Sequence, residues 1–241
     1  MIEIRDLTKI YSRNSRPAVN AMSFTVNNGE IMGFAGLNGA GKTTTIRIAT
    51  GIIYPTSGTV LIDGNDIVRD KVNASRLSGW VPEFPNFEPN ARPLTLMRYY
   101  GGFYGMKAAD ATRRGRELLE AVSLEESMNE KLRNYSQGMK KRFSLAAAML
   151  NDPQNYFFDE TLNGLDPEGI RFMRKLMVEL RGKGKAVLLS SHILNELETV
   201  ADRIAIIHKG KLMQIMDRPL IEKAVRENGN LEEYFFKVVG G

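Results

Sequence analysis

Short apolar segments with strand-like spacing dominate the first 35 residues. Ile2 and Ile4 alternate with polar neighbours, Phe24 and Val26 do the same, and Ile31–Ala35 is almost continuously apolar. Alternation with a period of two is typical of a half-buried strand, and a continuous apolar run is typical of a strand covered on both faces. We therefore expect an N-terminal antiparallel β region that leads into a buried strand.

The last third of the chain alternates between strand and helix patterns. Tyr156–Phe158 and Ala186–Leu189 have the composition of buried strands. Between them, Asp166 is a good helix N-cap and Pro167 suits the first helical position, so a helix is expected there. Ser191 is expected to cap the next helix. Alternating strands and helices indicate a mostly parallel sheet with helices on both faces.

The middle of the chain has a different character. Its first part is crowded with aromatic residues: Phe84, Phe87, Tyr99, Tyr100, Phe103 and Tyr104. Helical periodicity follows over about 110–123 and 136–150. We expect one α/β domain over 1–241, in which 1–83 and 151–241 form the core and 84–150 form a helical insertion. The aromatic cluster fits either a docking surface for a membrane partner or the core of this insertion.

Composition narrows the class of protein. The 241 residues are 43% hydrophobic and 25% charged, which excludes a disordered or collagen-like chain. Because there is no cysteine and there are only two histidines, a disulfide scaffold, a thiolate nucleophile and a multi-histidine metal site are excluded. Apolar runs such as Leu145–Leu150 are far shorter than the roughly 20 residues of a membrane span. With no visible secretory leader, a cytoplasmic protein is expected.

The charge balance is mildly basic. A formal net charge of +5 is compatible with nucleic-acid binding but is explained as well by surface lysine. The runs Lys140-Lys141-Arg142 and Arg113-Arg114 are expected to be solvated helix faces. A nucleic-acid partner is therefore disfavoured.

The segment that follows the strand Ile31–Ala35 fits the pattern GxxxxGK[ST]. Its candidate nucleotide-binding residues are Gly36, Asn38, Gly39, Ala40, Gly41, Lys42, Thr43 and Thr44. Glycines allow successive backbone N–H groups to curl around an anion, and the helix that follows directs its positive end at that anion. Lys42 can reach the β- and γ-phosphates, and the Thr43 hydroxyl is a hard ligand for Mg²⁺. The pattern predicts ATP as ligand with Mg²⁺ as cofactor.

Two adjacent carboxylates end the later strand Tyr156–Phe158. Asp159 is placed to hold Mg²⁺, and Glu160 to polarise an attacking water. An acidic pair at a strand end is also found in ordinary solvated turns. The phosphate loop upstream favours the catalytic interpretation.

Three further motifs follow a fixed order: Tyr135-Ser136-Gln137-Gly138-Met139, Asn163-Gly164-Leu165-Asp166-Pro167 and Ser190-Ser191-His192. Together with the phosphate loop, this ordered set resembles the ATP-binding cassette (ABC) family of ATPases. The resemblance extends from Tyr11 to about Lys211. It implies a P-loop NTPase core, with 84–150 as a helical signature subdomain.

The resemblance also implies roles for single residues. Asp159 looks like the Walker B aspartate, Glu160 like the catalytic carboxylate and His192 like the switch histidine that contacts the γ-phosphate. Ser136 and Gly138 look like the signature loop, which in this family caps the γ-phosphate bound by a partner subunit.

Two other positions carry both a functional and a structural interpretation. Asp166 looks like the D-loop aspartate, which works across the dimer interface, and it also reads as a helix N-cap. Tyr11 lies where the family stacks an aromatic ring on adenine, and it could equally be an ordinary strand-edge tyrosine.

The sequence departs from the family pattern at four positions. Glu83 replaces a glutamine; as a carboxylate it can still bind Mg²⁺ but, when ionised, cannot donate a hydrogen bond. Gln137 replaces the first signature glycine, Met139 replaces a glutamine, and Thr161 replaces a proline. Glu83 and the Ser-x-Gly-Met form resemble exporter-type cassettes more than importers.

The resemblance implies an ATPase subunit that closes head-to-tail with a second copy or a paralogue and drives a separate integral-membrane permease. The system is expected to be an exporter. Such a subunit lies in the cytoplasm, peripheral on the inner face of the cell membrane. A soluble ABC ATPase that remodels nucleic acid or ribosomes is the first alternative, but the chain has neither tandem cassettes nor zinc cysteines. The second is a nucleotide-binding regulator without turnover, which the intact set of candidate catalytic residues disfavours.

Overall fold

The computed structural model describes residues 1–12 and 15–240. The strands are β1 (Ile2–Lys9), β2 (Val19–Val26), β3 (Ile31–Ala35), β4 (Ser57–Ile62), β5 (Asn65–Asp66), β6 (Ser78–Val81), β7 (Asn155–Asp159), β8 (Ala186–Ser191), β9 (Arg203–His208) and β10 (Lys211–Asp217). The α-helices are α1 (Lys42–Ala49), α2 (Lys71–Arg76), α3 (Pro93–Phe103), α4 (Ala108–Ala121), α5 (Gln137–Ala148), α6 (Pro167–Gly182), α7 (Leu194–Val200), α8 (Arg218–Asn228) and α9 (Leu231–Gly240).

The strands form two sheets of different type. The order β2-β1-β4-β5 makes an antiparallel sheet, which confirms the expected N-terminal β region. The order β10-β9-β3-β8-β7-β6 makes a second sheet that is parallel from β9 to β6. Only β10 runs antiparallel there, because the two-residue turn Lys209-Gly210 joins it to β9 and both turn residues have positive φ.

The parallel sheet is covered on both faces, which explains its apolar strands. On β7, Tyr156 and Phe158 face the cluster formed by the helices, whereas Phe157 faces the cluster formed by the β region and α1. On β3, Ile31 and Phe34 divide between the same two clusters. Since both faces exclude water, the sheet ends are the polar surface on which a site can form.

The middle block folds as helices, and its aromatic residues divide between two environments. Phe87 packs edge-on against Phe143 of α5 with ring centroids 4.7 Å apart. Phe84, Tyr99 and Phe103 are exposed. The cluster therefore contributes both to the core of the helices and to their outer surface.

Two local predictions were wrong. Lys141 does not lie on a solvated helix face but is buried, 8% exposed, because it points towards the loop after β7. Ser191 does not cap α7: it ends β8, its Oγ accepts a hydrogen bond from the Ile193 amide, and Ile193 is the residue before the helix. The local sequence identified the right hydroxyl but placed the helix start two residues early.

The carboxyl-terminal helix α9 packs back on the core, with Leu231 and Phe235 buried. Over the described ranges 1–12 and 15–240, no helix combines the length and the apolar character that crossing a membrane requires.

Candidate functional site

The phosphate loop links the buried strand β3 to α1. Its lysine folds back over the loop, and Lys42 Nζ donates hydrogen bonds to the carbonyls of Gly36 (2.7 Å) and Leu37 (3.3 Å). Gly41 has φ 109°, and a Cβ there would lie 2.4 Å from the carbonyl oxygen of Ala18. Only glycine fits this position, so the loop's tight curvature depends on it.

A buried ion pair joins the phosphate loop to the acidic end of β7. Lys42 Nζ lies 2.9 Å from Glu160 Oε1, and both side chains are about 5% exposed. His192 Nδ1 lies 2.9 Å from Glu160 Oε2, and the His192 amide also donates to that oxygen at 3.3 Å. The structure thus brings Lys42, Glu160 and His192 into direct contact.

Charge and hydrogen bonding control the ionisation of Glu160. Burial by itself would raise its pKa, but the hydrogen bond and charge of Lys42 and the contact with His192 outweigh burial and lower the pKa below its ordinary value. Glu160 is therefore ionised at neutral pH. It also adopts φ 50°, which is uncommon for a residue with a side chain, and its amide is held by hydrogen bonds to Ser190.

Asp159 lies beneath this cluster and is held by hydroxyls. Thr43 Oγ1 donates to Asp159 Oδ1 at 3.1 Å, and Ser190 Oγ donates to the same oxygen at 2.9 Å. Burial raises the pKa of Asp159, the two hydroxyls oppose that shift, and the neighbouring charge of Glu160 adds to it. Thr43 and Asp159 are adjacent hard-oxygen donors at one point of the site.

These groups surround an open cavity of about 320 Å³. Of the predicted site residues, the following line it: Asn38, Gly39, Gly41, Lys42, Thr43, Thr44, Glu83, Glu160 and His192. Ala40 is buried in the loop, where its carbonyl accepts from the Gly210 amide. The cavity combines one buried ammonium, loop amides and acidic oxygens, which is the chemistry that a polyphosphate with a bound divalent cation requires.

Tyr11 lies at the edge of this cavity. Its hydroxyl is 3.3 Å from Thr44 Oγ1, its ring is 60% exposed, and Lys9 Nζ lies 5.3 Å from the ring centre. An exposed ring fixed at one end leaves a face available for a flat ligand.

Ser136, Gly138 and Asp166 are not part of the first cavity. They line a separate one of about 380 Å³, together with Met139, Arg142, Gly164, Leu165 and Gly169. Ser136 caps α5 by accepting from the Met139 amide, and Asp166 caps α6 by accepting from the Gly169 amide at 2.9 Å. The N-cap interpretation of Asp166 is therefore correct, and two helix N-termini face this second cavity.

Two residues of the first site were not assigned a role from the sequence. Ser190 binds both Asp159 and the Glu160 amide, and Asn163 Nδ2 donates to Glu160 Oε2 at 3.0 Å. Both residues lie inside motifs recognised in the sequence, and those motifs are the only sequence feature that could have identified them. Their contacts depend on the pairing of β7 with β8 and on the turn after β7.

A third cavity, of about 600 Å³, lies between the helical block on one side and α2 and β6 on the other. Its lining is largely apolar and aromatic and includes Trp80, Phe87, Tyr100, Phe103 and Tyr104. Four of the six residues in the aromatic cluster of the middle block thus line one groove.

Comparisons with known proteins agree on one family. The sequence model of the ABC transporter family matches residues 19–163. The chain is 38% identical over 215 residues to the bacitracin transport ATP-binding protein BcrA of Bacillus licheniformis, covering 89% of this chain and 69% of that protein. It is 34% identical over 225 residues to the Nod factor export ATP-binding protein I of Burkholderia lata, covering 93% and 73%.

Solved structures give the same result for the fold. A structure described as the ATP-binding subunit of an ABC transporter superposes with a TM-score of 0.87 at 29% identity, covering 99% of both chains. This likeness confirms the α/β P-loop fold with its antiparallel sheet and helical elements. The family match spans more than half of the chain, and the relatives align over most of it. The chain therefore belongs to the ABC transporter family, among its ATP-binding subunits.

Proposed function

We propose that this chain is the ATP-hydrolysing subunit of an ABC exporter and that it powers a separate membrane permease. The observation that carries the proposal is the contact of Lys42 and His192 with the two oxygens of the buried Glu160, at the wall of the phosphate-loop cavity. The proposal extends to domain organisation: 1–83 and 151–241 act as the ATP-binding core, and 84–150 act as the signature subdomain.

The residues of the first cavity suit phosphoryl transfer to water. Glu160 is ionised and orients the attacking water, accepting its proton as the water oxygen bonds to the γ-phosphorus. The bond from the γ-phosphorus to the bridging oxygen breaks, and ADP leaves with the electron pair. Lys42 and His192 stabilise the charge on the transferred group. Lys42 is paired with Glu160, so phosphate binding must draw the ammonium towards the nucleotide.

The donors present fit Mg²⁺. Thr43 and Asp159 already share a hydrogen bond, and Glu83 lines the same cavity. In the described part of the chain, no three acidic or histidine side chains form a metal cluster. Mg²⁺ bound with a nucleotide needs only one or two protein oxygens besides the phosphates, so this set suffices. When bound, Mg²⁺ neutralises phosphate charge, and Tyr11 stacks on the adenine.

The second cavity supports a dimer. Ser136 and Gly138 lie at the N-terminus of α5, where backbone amides favour an anion. They line a cavity separate from the one that holds Lys42. A nucleotide in the first cavity thus meets these donors only when a second subunit, identical or paralogous, is placed head-to-tail.

The aromatic groove supports a membrane partner. A largely apolar groove of about 600 Å³ with exposed Phe103 at its wall is suited to a short apolar segment of another protein. The names of the relatives, bacitracin transport and Nod factor export, favour an export system. The subunit would then work in the cytoplasm, peripheral on the inner face of the cell membrane.

Replacement of the catalytic carboxylate tests hydrolysis. Glu160→Gln should lower ATP turnover by about 100-fold or more and trap an ATP-bound dimer, because water activation is lost while phosphate binding remains. Turnover and light scattering in saturating ATP measure both effects, with Glu125→Gln, an exposed glutamate of the helical block, as control. A monomer under these conditions would contradict the closing model.

Co-purification from membranes tests the permease. The wild-type chain should isolate with an integral-membrane protein that stimulates its ATPase, and Phe103→Asp should abolish that association. Phe236→Asp, which charges an exposed phenylalanine on α9, should not. If ribosomes or nucleic acid co-purify and no membrane protein does, the soluble remodelling function replaces the transport function.

A further inference from the structure

Lys141 is a buried lysine to which neither the phosphate loop nor the signature motif assigns a role. It lies on α5 five residues after Ser136 and is 8% exposed, whereas its neighbours Lys140 and Arg142 are partly exposed. Its Nζ donates to the backbone carbonyl of Thr161 at 3.1 Å and to the backbone carbonyl of Asn163. Among the described residues no carboxylate pairs with this ammonium at ion-pair distance.

The loop that receives these hydrogen bonds leads directly to the catalytic carboxylate. Asn163 Nδ2 donates to Glu160 Oε2 at 3.0 Å, the same oxygen that lies 2.9 Å from His192 Nδ1. The other backbone hydrogen bonds of the loop are local, from the Asn163 amide to Glu160 and from the Leu165 amide to Leu162. Within the described structure, the hydrogen bonds from Lys141 are therefore the ones that join residues 161–165 to a different helix, while Leu162 of this loop is buried in the apolar core.

The charge of Lys141 needs a physical reason. A buried ammonium without a carboxylate partner is unfavourable, and burial lowers the pKa of Lys141 while the charges of Glu83 and Glu160 oppose that shift. A methionine has a similar length and would fill the same space without burying a charge. What the lysine adds is a set of donors that satisfies two loop carbonyls at once.

We propose that Lys141 is a positioning residue that ties the signature helix α5 to the loop holding Glu160. The proposal rests on the proposed function. Because α5 begins at the residues that face a partner's nucleotide, a shift of α5 on engagement moves the carbonyls of Thr161 and Asn163. The side-chain amide of Asn163, which is hydrogen-bonded to Glu160, then moves that carboxylate in the site of the same subunit. The two ATP sites of a dimer are coupled through this contact within each subunit.

Steady-state kinetics of purified dimers test this role. Lys141→Met should lower kcat about 10- to 100-fold, since small misplacements of a catalytic group have effects of that size. The affinity for ATP should stay within about twofold, because the Lys42 cradle is unchanged, and the Hill coefficient for ATP should fall towards one. Lys141→Arg, which keeps the donors, should recover most of the turnover. Lys140→Met removes a neighbouring charge on the same helix and should have no effect.

Asn163→Ala breaks the same link at its other end and keeps the proposal testable if Lys141→Met does not fold. It should reproduce the loss of kcat, and the double variant should be no slower than the slower single variant. Wild-type kcat in Lys141→Met or Asn163→Ala, multiplicative effects in the double variant, or an equal loss in Lys140→Met would each overturn the positioning role.

A purely structural role has a different signature. It would lower the melting temperature and the yield of folded protein while leaving kcat per folded molecule unchanged, and that outcome also overturns the proposal. The proposed function is tested separately. Absence of ATP turnover in the wild-type protein would contradict hydrolysis itself. Normal turnover in both wild type and Lys141→Met would contradict only the coupling.

Discussion

The phosphate-loop cavity and the signature cavity of this chain differ in the groups that line them. In the phosphate-loop cavity, Lys42 and His192 each contact Glu160, and Lys42 and Glu160 are buried. In the signature cavity, Ser136 and Asp166 cap their helices. Among the described residues no ion pair involves its lining, and the Arg142 guanidinium lies 5.7 Å from the ring centre of Phe172. One cavity holds assembled catalytic charges, and the other presents mainly helix N-termini.

Under the proposed function, this difference means that catalytic chemistry is divided between two copies of one fold. Charges that act on the phosphates must be oriented and desolvated, so they are built where two parallel strands and a helix meet. Amide donors at a helix N-terminus need no charge partner, so they can remain hydrated at an exposed surface until an anion binds. The two cavities should therefore respond differently to substitution.

The largest effect is expected at the lysine of the first cavity. Lys42→Ala should weaken ATP affinity by about 100-fold or more, because it removes the buried ammonium and leaves Glu160 without its partner. Calorimetry on the purified chain measures the affinity. Lys175→Ala, which removes an exposed lysine from α6, is the control; retained affinity in Lys42→Ala would contradict the phosphate-loop assignment.

A charge in the second cavity should affect turnover and leave single-chain binding intact. A side chain at Gly138 meets only Ser136 Oγ, at 3.9 Å, so Gly138→Asp fits but places a carboxylate opposite the partner's phosphates. We expect about a 100-fold loss of ATP turnover and of ATP-dependent dimerisation, with unchanged calorimetric affinity. Gly138→Ala has the same backbone constraint without charge and should be nearly normal. Weakened binding by Gly138→Asp monomers would show that the two cavities are not independent.

The ion pair of the first cavity should give stability a defined pH dependence. Because the folded-state pKa of Glu160 lies below its ordinary value of 4.5, its contribution is complete above that pH and is lost as the pH falls through the lowered value. Glu160→Gln should therefore be about 1–3 kcal/mol less stable than wild type near pH 7.

Chemical denaturation of both proteins from pH 7 to pH 3 measures that gap, which should close at the acid end. Burial raises the pKa of Asp159 in both proteins and this part of the pH dependence is common to them, whereas the added effect of the Glu160 charge is present only in wild type. A gap that stays constant over this range would mean that the charge of Glu160 does not stabilise the fold.

The smallest effect is expected at the edge of the first cavity. Tyr11→Ala should weaken nucleotide affinity about fivefold. This value is at the lower end of the range of affinity losses for removal of a stacking ring, because the ring of Tyr11 is largely exposed. Tyr11→Phe keeps the ring and loses only the contact with Thr44, so its affinity should be close to that of wild type. Equal affinity in all three proteins would make Tyr11 an ordinary strand-edge residue.

Much of the fold was predictable because local signals were strong. The buried strand Tyr156–Phe158 and the helix that Asp166 caps were both found from composition and capping chemistry. The prediction for Lys141 was wrong because the local signal did not reflect the tertiary packing. A basic run on a helix is usually solvated, and only the packing of α5 against the loop after β7 buries the second lysine of the run.

The sequence by itself determined the site's components, because the phosphate loop, the acidic pair and the histidine each need a particular residue type next to a particular element. Tertiary structure decided which of them meet. Residues 42, 160 and 192 are far apart in the chain, and they come into contact because β3, β7 and β8 are parallel neighbours that end at one edge. The separate placement of Ser136 and Gly138 was likewise set by packing, since no spacing along a chain specifies the distance between two helix ends.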